Sequence, residues 1–99
     1  MVISMCYVYI LECADNTLYT GWTNNLDRRI NAHMRGKASK YTKSRLPVKI
    51  VYIERFNDKI SAQKREYEIK QMTRVEKIEL IESSHSSLSS VIPKAIYQT

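Results

Sequence analysis

Apolar and polar positions change their period along this chain, and each change marks an element. Residues 7–13, Tyr-Val-Tyr-Ile-Leu-Glu-Cys, form a nearly unbroken apolar run with the content of a buried strand. Residues 18–22 read as its partner. Between them Ala14-Asp15-Asn16 supplies a three-residue hairpin loop, with Asn16 in the left-handed position such loops require. That loop length sets the register: Cys13 faces Thr17, Leu11 faces Tyr19 and Tyr9 faces Gly21. Tyr9 and Tyr19 then emerge on the same face as diagonal neighbours, roughly 7–8 Å apart. One loop residue more or fewer would put them on opposite faces.

After the hairpin the period lengthens to that of a helix. Asn24 is the expected cap, Asp27 follows three residues on, and Leu26, Ile30 and Met34 recur at helical spacing before Gly36. Residues 37–46 read as a basic loop, and Pro47 precedes a third strand of alternating character over 48–56. Asn57 or Asp58 can cap a second helix running to about Met72. Thr73 and Glu76 make a capping-box pattern that opens a third, with Val75, Ile78 and Ile81 on one side. The order ββαβαα predicts an α+β domain over residues 1–82, a small three-stranded antiparallel sheet flanked by helices. After Glu82 the composition changes, with six serines within residues 83–90. A mobile tail is expected over 83–99, and Val91, Ile92, Ile96 and Tyr97 leave a docked terminus as the alternative.

Composition narrows the class. The 99 residues suffice for one modest core. No apolar run approaches the roughly 18 residues of a membrane span, and the first residues lack the pattern of a secretory signal. Cys6 and Cys13 lie about 23 Å apart along one strand and on opposite faces, too far to pair. No Cys/His spacing suits zinc. Free thiols fit a reducing compartment, so a cytoplasmic location is expected.

Charge adds a direction. The net charge is +6, and residues 28–49 carry eight Lys/Arg and no Asp or Glu. A one-signed segment in an otherwise mixed chain is a candidate phosphate-binding surface, though a merely solvated basic face reads the same way. Lys37, Lys40, Lys43 and Arg45 can grip a nucleic-acid backbone, with Tyr41 among them to stack on an unpaired base; Arg28 and Arg35 extend the surface. Trp22 offers another stacking face if exposed, and a core residue otherwise.

Three side chains stand out for chemistry. Arg29 and His33 share a helix face beside the apolar stripe, which places both at the edge of the core next to the sheet. Glu66 lies on the face of Ala62 and Ile69 in the helix after the third strand. A carboxylate among small and apolar neighbours is costly unless a cation meets it; the plain alternative is an exposed pair with Lys70.

Tyr7-Val8-Tyr9, Leu18-Tyr19-Thr20-Gly21, Arg29, His33 and Glu66 together resemble the signature of the GIY-YIG nucleases. Residues 38–42, Ala-Ser-Lys-Tyr-Thr, and 65–70, Arg-Glu-Tyr-Glu-Ile-Lys, are similar to its small stand-alone bacterial branch. The likeness spans residues 5 to 82. It implies metal-dependent endonuclease activity on DNA, in repair or processing. By it Tyr9 and Tyr19 are the paired motif tyrosines, Gly21 the motif glycine, Arg29 the catalytic arginine and His33 an active-site histidine. By the same resemblance Glu66 is the carboxylate ligand of one Mg²⁺ or Mn²⁺. A phenol loses its proton near pH 10, so either tyrosine needs a nearby positive charge to act as a base; which one does so stays open. The competing readings are a non-catalytic nucleic-acid-binding module and an adaptor that docks on a larger repair protein.

Overall fold

The computed structural model describes residues 5–84. Strands β1 (Cys6–Glu12) and β2 (Leu18–Thr23) are followed by helices α1 (Leu26–Met34) and α2 (Lys40–Lys43). Strand β3 (Lys49–Phe56) and helices α3 (Lys59–Lys70) and α4 (Arg74–Ser83) complete the order. The sheet is antiparallel, with strand order β2-β1-β3, so the fold is the expected α+β class. The central position of β1 explains its unbroken apolar run, because both its faces are covered. Cys6, Val8 and Ile10 pack with Tyr52, Ala62 and Ile69 on the α3 face. Tyr9, Leu11 and Cys13 pack with Ile30, Val48 and Ile50 on the α1 face. The two cysteines are free and buried, one in each cluster.

The hairpin follows its loop. Asn16 has φ 67°, and Tyr9 pairs with Gly21 and Leu11 with Tyr19. A bulge between Ile10 and Leu11 shifts the pairing with β3, so Ile10 faces Tyr52 while Leu11 faces Ile50. The extra residue, Val51, lets Ile50 and Tyr52 enter opposite clusters although they are two apart in sequence.

Several local expectations are corrected. The cap of α1 is Asn25 rather than Asn24. Thr23 Oγ1 accepts from the Asn25 amide and donates to the Asn25 carbonyl, and this turn leaves the Asn25 side chain to accept from Arg28 N–H. The helix closes as expected at Gly36, φ 72°, whose N–H reaches the His33 carbonyl while that of Lys37 reaches Ala32. The expected irregular loop contains α2, a single helical turn capped by Ser39. Of the two possible caps of α3, Asp58 fills the role, and Thr73 with Glu76 forms the full capping box of α4. Val75 does not face the core: it is exposed, because α4 packs through Leu80 and Ile81 in its C-terminal half. The tail expected over residues 83–99 lies outside the described residues from 85 onward.

Candidate active site

The site grows from the α1 face of the sheet. Tyr9 leaves the central strand and lies across Gly21 on β2. A Cβ at Gly21 would fall 2.5 Å from the Tyr9 hydroxyl oxygen and 2.7 Å from Cζ. The motif glycine is therefore a space requirement, set by the ring that crosses it. The Tyr9 hydroxyl then meets His33 Nε2 at 2.8 Å. His33 Nδ1 meets Thr42 Oγ1 at 2.9 Å, and Thr42 Oγ1 meets Ser39 Oγ at 2.9 Å. Tyr9, His33 and Thr42 are all fully buried.

His33 was expected at the edge of the core, and the structure places it inside. Both ring nitrogens have partners there, so a neutral imidazole can be buried at little cost. Burial, with Arg29 next, pushes its pKa down to about 4. Tyr9 moves the other way. Burial and then the neighbouring Tyr19 push its hydroxyl well above the usual value for a phenol, Arg29 opposes the rise and Glu66 adds to it. With Tyr9 protonated and His33 neutral, the consistent arrangement has Tyr9 O–H donating to Nε2 and Nδ1–H donating to Thr42. The reverse tautomer would leave the buried Tyr9 proton without an acceptor among the described hydrogen bonds.

Tyr19 is only half-buried and forms the rim. Its ring meets His33 edge-on at 5.2 Å and stacks with Tyr41 at 5.8 Å. Arg29 is exposed on α1 and Glu66 sits on α3, which packs on the other face of the sheet; both carry charges that are felt at the Tyr9 hydroxyl. Glu66 is flanked on its helix face by fully buried Ala62 and Ile69. Its side chain retains 19% exposure and lies 3.4 Å from Lys70 Nζ. Glu68 turns away and pairs with Arg65.

Among the described residues no three His, Cys, Asp or Glu side chains gather into a ready-made cage. A single carboxylate with room for water and phosphate oxygens is nevertheless how Mg²⁺ is commonly held. Glu66 contributes one carboxylate, a hard oxygen donor of the kind such an ion takes, and the contact it makes here is with the Lys70 ammonium.

The basic segment divides in two. Arg28, Arg29, Arg35, Lys37, Lys40 and Lys43 are exposed and make no ion pair among the described residues. Arg45 and Lys49 are engaged by Asp15 and Glu12. Trp22 is half-buried against the α3-side cluster, on the face of the sheet away from Tyr41. Thr42 and Ser39 had no site role in the sequence reading. The Ser-x-x-Thr pattern of a helix cap was the available signal, but nothing in it points to a histidine nine residues earlier.

A three-stranded sheet carrying a tyrosine pair, with arginine, histidine and glutamate from the flanking helices, is the architecture of a GIY-YIG nuclease domain. Residues 5–79 match the GIY-YIG catalytic domain, and the chain belongs to that family. It is 60% identical over 79 residues to a UPF0213 protein of Clostridium perfringens, covering 80% of this chain and 85% of that protein. It is 54% identical over 76 residues to a UPF0213 protein of Staphylococcus haemolyticus, covering 77% and 93%. The solution NMR structure of the UPF0213 protein BH0048 from Bacillus halodurans is similar in fold, with a TM-score of 0.56 and 41% identity over 86% of this chain and 97% of that one. No helix among the described residues is long and apolar enough to cross a membrane.

Proposed function

We propose that this protein is a metal-dependent endonuclease that hydrolyses phosphodiester bonds in DNA, with residues 1–82 as the catalytic unit. The observation that supports this most is the pairing of a buried, fully hydrogen-bonded Tyr9–His33–Thr42 chain with a half-exposed Tyr19 at its rim. Tyr9 has no exposed surface, so we assign it to holding the site and Tyr19, in its phenolate form, to accepting the proton of the attacking water. Arg29 faces the charge that develops on the phosphate. Glu66 holds Mg²⁺ or Mn²⁺, which when bound supplies positive charge to the phosphate oxygens and to the attacking water. Arg28, Arg35, Lys37, Lys40 and Lys43 track the nucleic-acid backbone. A cytoplasmic role in DNA repair or processing, alone or beside a larger repair protein, follows from the same reading.

One contact favours a second reading. With Lys70 Nζ 3.4 Å from its carboxylate, Glu66 can serve as half of a helix-surface pair, and the domain then binds nucleic acid without cutting it. Incubation with labelled single-stranded, duplex and branched DNA, with Mg²⁺ or Mn²⁺ against a chelator, separates the two. Cleavage that needs the metal supports the nuclease. Binding without cleavage of any DNA or RNA form supports the binding module.

A further inference from the structure

Arg45 belongs to the basic segment, yet its guanidinium is committed within the fold. Nε donates to Asp15 Oδ2 on the hairpin loop at 2.9 Å, and Nη1 donates to the Tyr41 carbonyl at 3.0 Å and to Ser44 Oγ at 3.3 Å. Its central carbon lies 3.8 Å from the centroid of the Tyr41 ring. Tyr41 in turn stacks with Tyr19 at 5.8 Å and 30°. Asp15 is fixed by the Thr17 amide at 3.1 Å and the Thr17 hydroxyl at 2.6 Å. The Ala14 N–H donates to the Arg45 carbonyl at 2.9 Å. The tip of the hairpin whose second strand carries Tyr19 is thus tied to the end of α2, and the ties converge on the ring beside Tyr19.

The Asp15–Arg45 pair is half-exposed on both sides, 46% and 33%, and a pair of that kind adds little to stability. Its consequence is directional: a planar, forked cation held at three acceptors keeps the aromatic ring beneath it in one plane. We infer that Asp15 and Arg45, acting through Tyr41, are positioning residues that orient the Tyr19 hydroxyl at the rim of the site. Arg45 then differs in kind from Lys40 and Lys43, which make no ion pair among the described residues and can turn to phosphate. What Tyr19 does there rests on the nuclease reading; the stack that holds it does not.

Two variants test this in the full chain. Asp15→Asn keeps an oxygen for Thr17 and removes the charge that holds Arg45; Arg45→Gln removes the guanidinium. Both should lower kcat at least about tenfold, the scale on which a misplaced reacting group costs rate, while KM stays within about twofold. Both should move the Tyr19 ring NMR resonances toward those of an unstacked tyrosine. The salt slope of DNA binding should be unchanged in Arg45→Gln. If Arg45 instead grips phosphate, Asp15→Asn releases it and cleavage holds or rises, while Arg45→Gln lowers the salt slope by about 0.9; that pattern overturns the inference. If the wild type cleaves nothing, the nuclease reading fails but the ring resonances still decide: shifted Tyr19 signals support the positioning role, and unmoved signals in both variants overturn it.

Discussion

The Tyr9 hydroxyl and Nε2 of His33 lie 2.8 Å apart, and neither side chain has any exposed surface. A strand residue and a helix residue 24 positions apart are thereby locked in one orientation by a bond that water does not reach. A hydrogen bond in such surroundings is costly to break, because each partner is left buried and unsatisfied.

Gly21 is the first place to disturb that bond. A Cβ there meets Tyr9 Oη at 2.5 Å, so Gly21→Ala must displace the ring from the position in which it bonds His33. The variant should lose about 1–3 kcal/mol in denaturant unfolding, as overpacked cores do. Cleavage should fall with it even under conditions where the variant stays folded. An unchanged unfolding midpoint would mean that the ring can shift freely and that the glycine is not a space requirement.

His33 makes stability depend on pH. Its folded pKa, about 4, lies below the ordinary 6.5, so between those values the unfolded chain binds a proton that the folded one refuses. Above about pH 6.5 the contribution is complete; as pH falls toward 4 it is lost, on the order of 2–3 kcal/mol. Urea unfolding at pH 7.5 and pH 4.5 should show this drop in the wild type, and a smaller one in His33→Gln. Equal drops in both proteins would assign the pH dependence to other groups.

These two residues differ in how far the sequence revealed them. Loop length and strand alternation were enough to bring Tyr9 opposite Gly21 and to put Tyr19 on the same face, because a period of two leaves only one register for a given loop. The helical spacing of Arg29 and His33 gave their shared face but not their depth. Depth depends on Thr42, whose hydroxyl satisfies the second ring nitrogen, and Thr42 sits on a four-residue helix too short to show any period. The bulge that admits Val51 was hidden for a similar reason: one extra residue leaves an alternating pattern looking regular. Glu66 was legible as an acid between Ala62 and Ile69, whereas the commitment of Arg45 to Asp15, 30 positions away, was not.

The exposed cations of the α1 and α2 surface, which make no ion pair among the described residues, predict the salt response of binding. With about five phosphate contacts, DNA affinity should fall roughly a hundredfold or more between 50 and 200 mM salt. Replacing Lys40 and Lys43 together by Gln should reduce the slope by about 1.8, two contacts at about 0.9 each. Fluorescence anisotropy across a salt series measures both, and equal wild-type affinity at both salt concentrations would remove this surface from the account.

Glu66→Gln decides most directly between a nuclease and a binding domain. Cleavage of labelled DNA in Mg²⁺ is measured beside affinity for the same DNA in chelator. As a metal ligand, Glu66 contributes to stabilising charge in the transition state and little to holding the backbone. The amide should lower cleavage at least about a hundredfold, while affinity without metal stays the same or rises slightly as a negative charge is lost. Cleavage that continues at the wild-type rate, with only a few tenths of a kcal/mol lost in stability as for a surface pair with Lys70, would contradict the assignment of Glu66 as the metal ligand.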